Sequence, residues 1–252
     1  MRYSATHKAA TRRRILAAAS QAFRERGVAE TGVDEVMRRA GLTHGGFYAH
    51  FADKSELVAE ACAVGFAEAV PNLARIAAQL TPAARARLLI DSYLAVRHRD
   101  NRSSGCLIVA VAADMARLKG AARTGYSRSF TGHLDRLADA LRLLPDAQAN
   151  HERVTQLMSS LVGALLFARA IEDPAQSERL LQAMRRRLKA EFCRESSPAT
   201  STAVGSTASL AHDQPPRALS TRSKAAPRCA PTAGAVGQEK EFSPSHGLLR
   251  VF

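Results

Sequence analysis

Between Thr31 and Leu57 the chain reads TGVDEVMRRAGLTHGGFYAHFADKSEL, and no other stretch limits the possible folds so strongly. Val33, Val36, Met37 and Ala40 recur at the three- and four-residue steps of a buried helix face, with Asp34, Glu35, Arg38 and Arg39 opposite. Gly41 follows, where a left-handed or tight backbone is easiest. The helix is therefore predicted to stop there, and Thr43 to cap a second one from His44 to His50. Gly45 and Gly46 each cost that helix about 1 kcal/mol relative to Ala, but small side chains let its backbone approach another surface closely. Phe47 and Phe51, four residues apart, anchor it on a core. Thr43, His44, Tyr48, His50 and Lys54 carry donors able to reach phosphates or base edges. Two short helices around a Gly turn are what a protein needs to put one helix into DNA. A solvated polar turn between two helices is the plainer reading of the same residues.

A helix over residues 11–26 is predicted just before, with Ile15, Leu16, Ala19, Ala22 and Phe23 as one apolar stripe and Gly27 ending it. Arg14, Ile15, Ala18, Ala19, Phe23, Gly27, Thr31, Val36, Ala40, Gly41, Thr43, Gly45, Tyr48, His50, Phe51, Lys54 and Leu57 stand in a distinctive order and spacing. In them the region resembles the DNA-binding domain of the TetR/AcrR family of bacterial transcriptional regulators, densely over about 50 residues and by helix layout over about 195. The resemblance implies an all-α protein of about nine helices: an N-terminal three-helix helix-turn-helix domain and a C-terminal helical ligand-binding and dimerisation domain. It implies Thr43, Tyr48 and Lys54 at phosphates, His44, Gly45 and Gly46 near the bases, and Thr31 among the DNA-binding positions. His50 is read two ways, as a DNA contact or as a residue that caps or packs at the helix end. The family often has Lys or Arg where His44 stands, so base preference and pH dependence need not follow the family here.

The charge distribution favours an anionic partner. The 252-residue chain has a formal net charge of +13, and seven basic residues against Glu25 alone fall within residues 1–26. Arg12, Arg13 and Arg14 are candidates for phosphates or a minor groove, although an arginine run near a terminus is often only solvated charge. A membrane surface would compete for the same charge. No apolar run approaches the roughly 20 residues of a spanning helix, and the N-terminus lacks the apolar middle of a secretory signal. The expectation is a bacterial cytoplasmic protein with no membrane partner. Cys62, Cys106, Cys193 and Cys229 are widely separated, with no CxxC pair and no nearby His at metal spacing, so free thiols, no structural zinc and no cofactor are expected.

Asp53 and Glu56, at capping-box spacing, start another helix carrying Leu57, Val58, Ala61, Val64 and Phe66, which Pro71 is expected to kink or end. It begins at Lys54 and leads away from the DNA side, as a lever between two domains would. Thr81-Pro82 predicts a helix over residues 82–97. Residues 106–118, CLIVAVAADMARL, carry only two charges and predict a central helix; residues 121–144 predict a longer amphipathic one. Two final helices, 147–172 and 174–194, offer a flat surface of Ser159, Ser160, Gly163 and Ala164. In the family such a pair builds a four-helix dimer interface, which implies a homodimer through 147–194; completing the monomer core is the alternative. Residues 195–252 turn to Ser, Thr, Ala, Pro and Gly and predict a disordered tail. The domain borders are therefore 1–52, 53–194 and 195–252.

In the family a ligand in the second domain releases the operator, a duplex DNA site. Candidate lining residues here are Phe66, Tyr93, Cys106, Val109, Met115, Tyr126, Phe130 and Phe167, each also readable as plain core. Their character favours a small hydrophobic or amphipathic effector. Cys106 follows Ser104-Gly105 at a predicted helix start near Arg97, Arg99 and Arg102, which suits a thiolate sensor of reactive compounds; a buried, inert cysteine is the competing reading. No GxSxG elbow, phosphate loop or paired metal-spaced histidines suggest an enzyme. A repressor released from an inverted-repeat operator is the expected function. An architectural, sequence-independent DNA-binding protein is the alternative, since basic charge alone would support it.

Overall fold

Local chemistry sets the helix starts. The Asp53, Thr81, Asp146 and Asp173 side chains each accept a hydrogen bond from a backbone N–H of the turn that follows, and Pro82 and Pro174 take the first helical position. The computed structural model describes residues 5–193, which contain nine α-helices, one 3-10 helix and no strand. In order they are α1 (Ala5–Arg26), α2 (Val33–Arg39), the 3-10 helix (His44–Ala49), α3 (Lys54–Ala77) and α4 (Pro82–Tyr93). Then follow α5 (Val96–Asp100), α6 (Leu107–Arg117), α7 (Gly120–Leu141), α8 (Ala147–Ala170) and α9 (Pro174–Phe192). The 195–252 segment predicted as a tail lies outside the described residues.

Three expectations change. The second helix of the opening stretch is a 3-10 helix, not an α-helix, because two adjacent glycines disfavour the α form and the segment is only six residues long. Pro71 neither ends nor replaces a turn of α3, which continues to Ala77. Pro71 is exposed, and the carbonyl it leaves without a donor belongs to exposed Ala67, so water can satisfy it. The helix expected over 82–97 breaks at Leu94 and restarts as α5.

One hydrophobic cluster runs from Ile15 on α1 to Phe192 on α9. By length and composition α3 could cross a membrane, with a mean hydropathy of 1.3, which revises the expectation that no segment approaches a span. Its apolar side, including Leu57, Val58, Ala61, Phe66 and Leu73, is instead buried in this cluster. Along the seam of α3 and α7, Tyr126 and Phe130 stack with centroids 5.9 Å apart, and Phe66 meets both. Further along, Gly125 lets α7 approach α3 so closely that an added Cβ would lie 2.5 Å from the Ala59 Cβ.

One carboxylate ties α6 to the loop between α1 and α2. Asp114 Oδ2 accepts from the backbone N–H of Val28 at 2.7 Å and of Ala29 at 3.2 Å, in the loop between α1 and α2.

Candidate nucleic-acid interface

The turn between α2 and the 3-10 helix is built by backbone closure around Gly41. With φ at 67° Gly41 is left-handed; its N–H donates to the Arg38 carbonyl and the Leu42 N–H to the Met37 carbonyl. This paired closure satisfies the last carbonyls of α2. Arg14 Nη2 donates to the Ala40 carbonyl at 2.5 Å, bracing the turn against α1. Phe47 and Phe51, both buried, stack 5.6 Å apart and seat the 3-10 helix on the core with Met37. Its far side is left to solvent.

On that side stand Thr43, His44, Gly45 and Tyr48, all exposed. Thr43 takes the N-cap position, but its side chain makes no capping hydrogen bond to the helix it precedes. Tyr48 is 67% exposed, with its ring held edge-on against Phe47 and His44, so the hydroxyl points away from an ordered base. A Cβ at Gly45 would meet nothing within 4 Å, whereas one at Gly46 would touch Met37. Gly45 thus faces open space and Gly46 faces the core. His44 Nδ1 hydrogen-bonds the Asp34 carboxylate, which fixes its ring from α2.

Other expected contacts lie differently. Thr31 is fully buried and its hydroxyl donates to the Gly27 carbonyl at 2.6 Å, so it shapes the loop and its side chain cannot touch a duplex. Lys54 turns inward, with Nζ donating to the Val28 carbonyl at 2.8 Å instead of standing free for a phosphate. His50 is half-buried, its Nδ1 buried without a hydrogen-bond partner among the described residues. Burial, with Lys8, Arg12 and His7 adding their charge, holds its pKa below the usual histidine value, so it packs as a neutral ring at the helix end.

Arg12 is also engaged internally. It pairs with Glu56 at 3.0 Å and Glu60 at 2.5 Å, and its guanidinium lies 4.1 Å from the Phe51 ring centroid. It clamps α1 to α3. Arg39 is likewise paired with Glu25 and Glu35. Arg13 and Arg38 are exposed and have no ion pair among the described residues, which leaves their charge available. Spacing singled out Arg13 only as part of a run and missed Arg38, whose place beside the Gly41 turn was the available signal.

The residues expected around an effector do not form one cluster: two groups form, and Val109, Met115 and Phe167 stand outside both. Phe66, Tyr126 and Phe130 form the aromatic seam of α3 and α7. Tyr93, fully buried on α4, meets His98 edge-on and has Cys106 beside its hydroxyl. His98 Nδ1 donates to the Tyr93 carbonyl, and its Nε2 accepts from the Cys106 N–H, so the ring is neutral; burial lowers its pKa to about 4. Val109 is half-buried and Met115 buried on α6. Phe167 is 63% exposed on α8 beside exposed Leu166, so it does not line an interior cavity. The helical period places it on α8's outer face, which residue type alone does not disclose.

Exposed donors on a short helix braced behind a Gly turn, with a larger helical domain beyond, define a helix-turn-helix protein of the two-domain, all-helical class. Residues 15–61 match the family described as bacterial regulatory proteins, tetR family, and residues 82–184 match tetracyclin repressor-like, C-terminal domain. The chain belongs to the TetR family. It is 44% identical over 50 residues to the HTH-type transcriptional regulator AcrR of Shigella flexneri, a match covering 20% of this chain and 23% of that protein. The chain thus spans about a quarter of this curated relative's length in the match. Among solved structures, a TetR-family transcriptional regulator from Cytophaga hutchinsonii aligns with a TM-score of 0.60 at 17% identity, covering 76% of this chain and 98% of that one. AibR in complex with isovaleryl coenzyme A and operator DNA aligns with a TM-score of 0.50 at 19% identity, covering 73% and 98%. These likenesses carry the fold.

Proposed function

We propose that this chain is a dimeric, operator-specific transcriptional repressor that leaves its DNA when a small effector binds the second domain. The observation that carries the reading is the outer side of the 3-10 helix. Thr43, His44 and Tyr48 present donors there on a segment immobilised by Phe47, Phe51 and the Gly41 turn. Thr43 and Tyr48 hold phosphates, with Arg13 and Arg38 adding charge, while His44 and Gly45 face the base edges and Gly46 lets the helix sit close on Met37. Lys54 supplies positive charge from behind, and His50 supports the helix end.

Two copies pair through α8 and α9, where Leu166 and Phe167 lie exposed beside Ser159 and Gly163. The two recognition elements then address an inverted repeat, with half-sites about one helical turn or a multiple apart. The effector is small and apolar or reactive. Cys106, beside the Tyr93 hydroxyl and in electrostatic reach of Arg24 and Arg169, is the thiol that would meet a reactive one. The AibR complex offers a precedent for a family fold that holds a small ligand together with operator DNA.

The test is selection of bound duplex from a random pool, followed by affinities for the selected site and for random duplex at matched salt. A preference of at least about a thousandfold is expected. A ratio near one would establish sequence-independent, architectural binding instead.

A further inference from the structure

A cavity of ≈ 260 Å³ lies where the α1–α2 loop, the start of α3, the end of α6 and the start of α7 meet. Its walls are formed by Val28, Val58, Leu118 and Ala122, and three of these side chains are almost wholly buried. At the rim stand Lys54, Asp114 and Arg117. Their charges are not equally balanced. Asp114 already accepts two backbone N–H groups through Oδ2, and Arg117 faces its other oxygen at 3.9 Å. Lys54 donates only to the Val28 carbonyl and has no carboxylate at ion-pair distance among the described residues. Two of its three ammonium hydrogens have no acceptor among the described residues.

An apolar hollow with a half-buried, unneutralised ammonium at its edge suits a ligand with the opposite layout. From this geometry we infer that the cavity is a binding site for a small hydrophobic monocarboxylate, its carboxylate on Lys54 and its hydrocarbon against Val58, Leu118 and Ala122. The volume falls just short of the roughly 300 Å³ at which ligand pockets usually begin and suits a body of about ten non-hydrogen atoms. Asp114 on the same rim opposes a second negative charge, so a monoanion is preferred to a dianion. A cation of the same shape would meet Lys54 as a like charge and lose the site. This pocket lies outside both groups of residues expected to surround an effector, the α3–α7 aromatic seam and the Tyr93–Cys106 cluster.

Its position gives occupancy a consequence. Lys54 and Asp114 hold the carbonyl and the N–H of the same residue, Val28, and Lys54 is the first residue of α3. A carboxylate drawing on Lys54 therefore alters the hold on the loop that precedes α2. The effect on DNA release rests on the function proposed above; the binding itself does not.

Octanoate, octylammonium and octanol serve as probes, titrated into the full chain with affinity read by calorimetry and location by nuclear Overhauser contacts to side-chain methyls. Octanoate is expected to bind saturably, at least tenfold more tightly than octylammonium, with contacts to Val58 and Leu118 methyls. Lys54→Met is expected to weaken octanoate at least tenfold and leave octanol within twofold. Contacts to Phe66 or Tyr126 instead of Val58, equal affinity for octanoate and octylammonium, or no saturable binding would each overturn the assignment. The location is read on the unaltered protein, so a misfolded variant cannot hide the answer. Saturable binding without any change in operator affinity would retain the site and remove its regulatory role.

Discussion

Gly125→Ala sets two energies of opposite sign against each other on α7. In a helix interior, Ala is favoured over Gly by about 1 kcal/mol, so the substitution would ordinarily stabilise. Here the new methyl would stand 2.5 Å from the Ala59 Cβ and 3.2 Å from the Ala59 Cα. Carbon atoms rest about 3.5 to 4.0 Å apart, so α3 and α7 must separate by about 1 Å at a place where both partners are helix backbone and Cβ, with no flexible side chain to yield. Overpacking of that kind costs about 1 to 3 kcal/mol, and the aromatic seam of Phe66, Tyr126 and Phe130 shares the displacement. The net expectation is a loss of about 1 kcal/mol. Gly132→Ala on the same helix is the control, since its methyl would meet only the guanidinium end of Arg136 at 3.4 Å. That variant should gain about 0.5 to 1 kcal/mol. In urea, with a slope of about 2 kcal/mol per molar, the Gly125→Ala midpoint should fall by about 0.5 M and the Gly132→Ala midpoint rise by about 0.3 M. Protein concentration must be equal in both runs, because the proposed dimerisation would add to apparent stability. A Gly125→Ala midpoint as high as that of Gly132→Ala would refute the close helix contact.

Asp114→Ala removes a charged acceptor from two backbone donors, one of them on buried Val28, and should cost about 2 kcal/mol, with faster amide hydrogen exchange at Val28 and Ala29 than at the ends of α6. Unchanged exchange at those two amides would mean the carboxylate does not hold the loop. His98 and His133 both have pKa values lowered to about 4, in each case chiefly by burial. Protonation thus favours the unfolded chain: their stabilisation is complete above about pH 6.5 and declines as pH falls towards 4, by about 1.4 kcal/mol per unit for each ring. The melting temperature should accordingly drop between pH 7 and pH 5; a flat profile would contradict the buried neutral rings. Phe167→Glu places a charge on an exposed apolar patch of α8 and should yield monomers in sedimentation with unchanged helix content, whereas an intact dimer would move the interface elsewhere.

Much of this architecture is written locally. Thr81-Pro82, Asp53 and the Gly41 turn mark helix ends through bonds made within a few residues, and the structure forms those bonds. The distant contacts could not be read that way. The break between α4 and α5 has neither Gly nor Pro at Leu94; the Leu94 carbonyl accepts from Arg185 Nη2 on α9, at 2.5 Å. Lys54 has the composition of a phosphate contact, and only the placement of Val28, 26 residues earlier, turns it inward. Asp114 looks like a solvated charge on an apolar helix until α6 is laid beside a loop 86 residues before it. Pro71 was a misleading local signal because the cost of a missing N–H depends on whether water reaches the orphaned carbonyl.

The six-residue length of the 3-10 helix also limits how much sequence one copy can distinguish. At a rise of about 2.0 Å per residue it is some 12 Å long, which at about 3.4 Å per base pair faces no more than four base pairs. Four positions of four letters hold at most about eight bits. Singling out one address among at least a million competing sites takes about twenty. One copy alone would therefore recognise thousands of places equally well. Two half-sites of the proposed dimer together hold about sixteen bits, so the last few must come from contacts outside the 3-10 helix, and the spacing that α8 and α9 would set becomes as informative as any residue that touches a base.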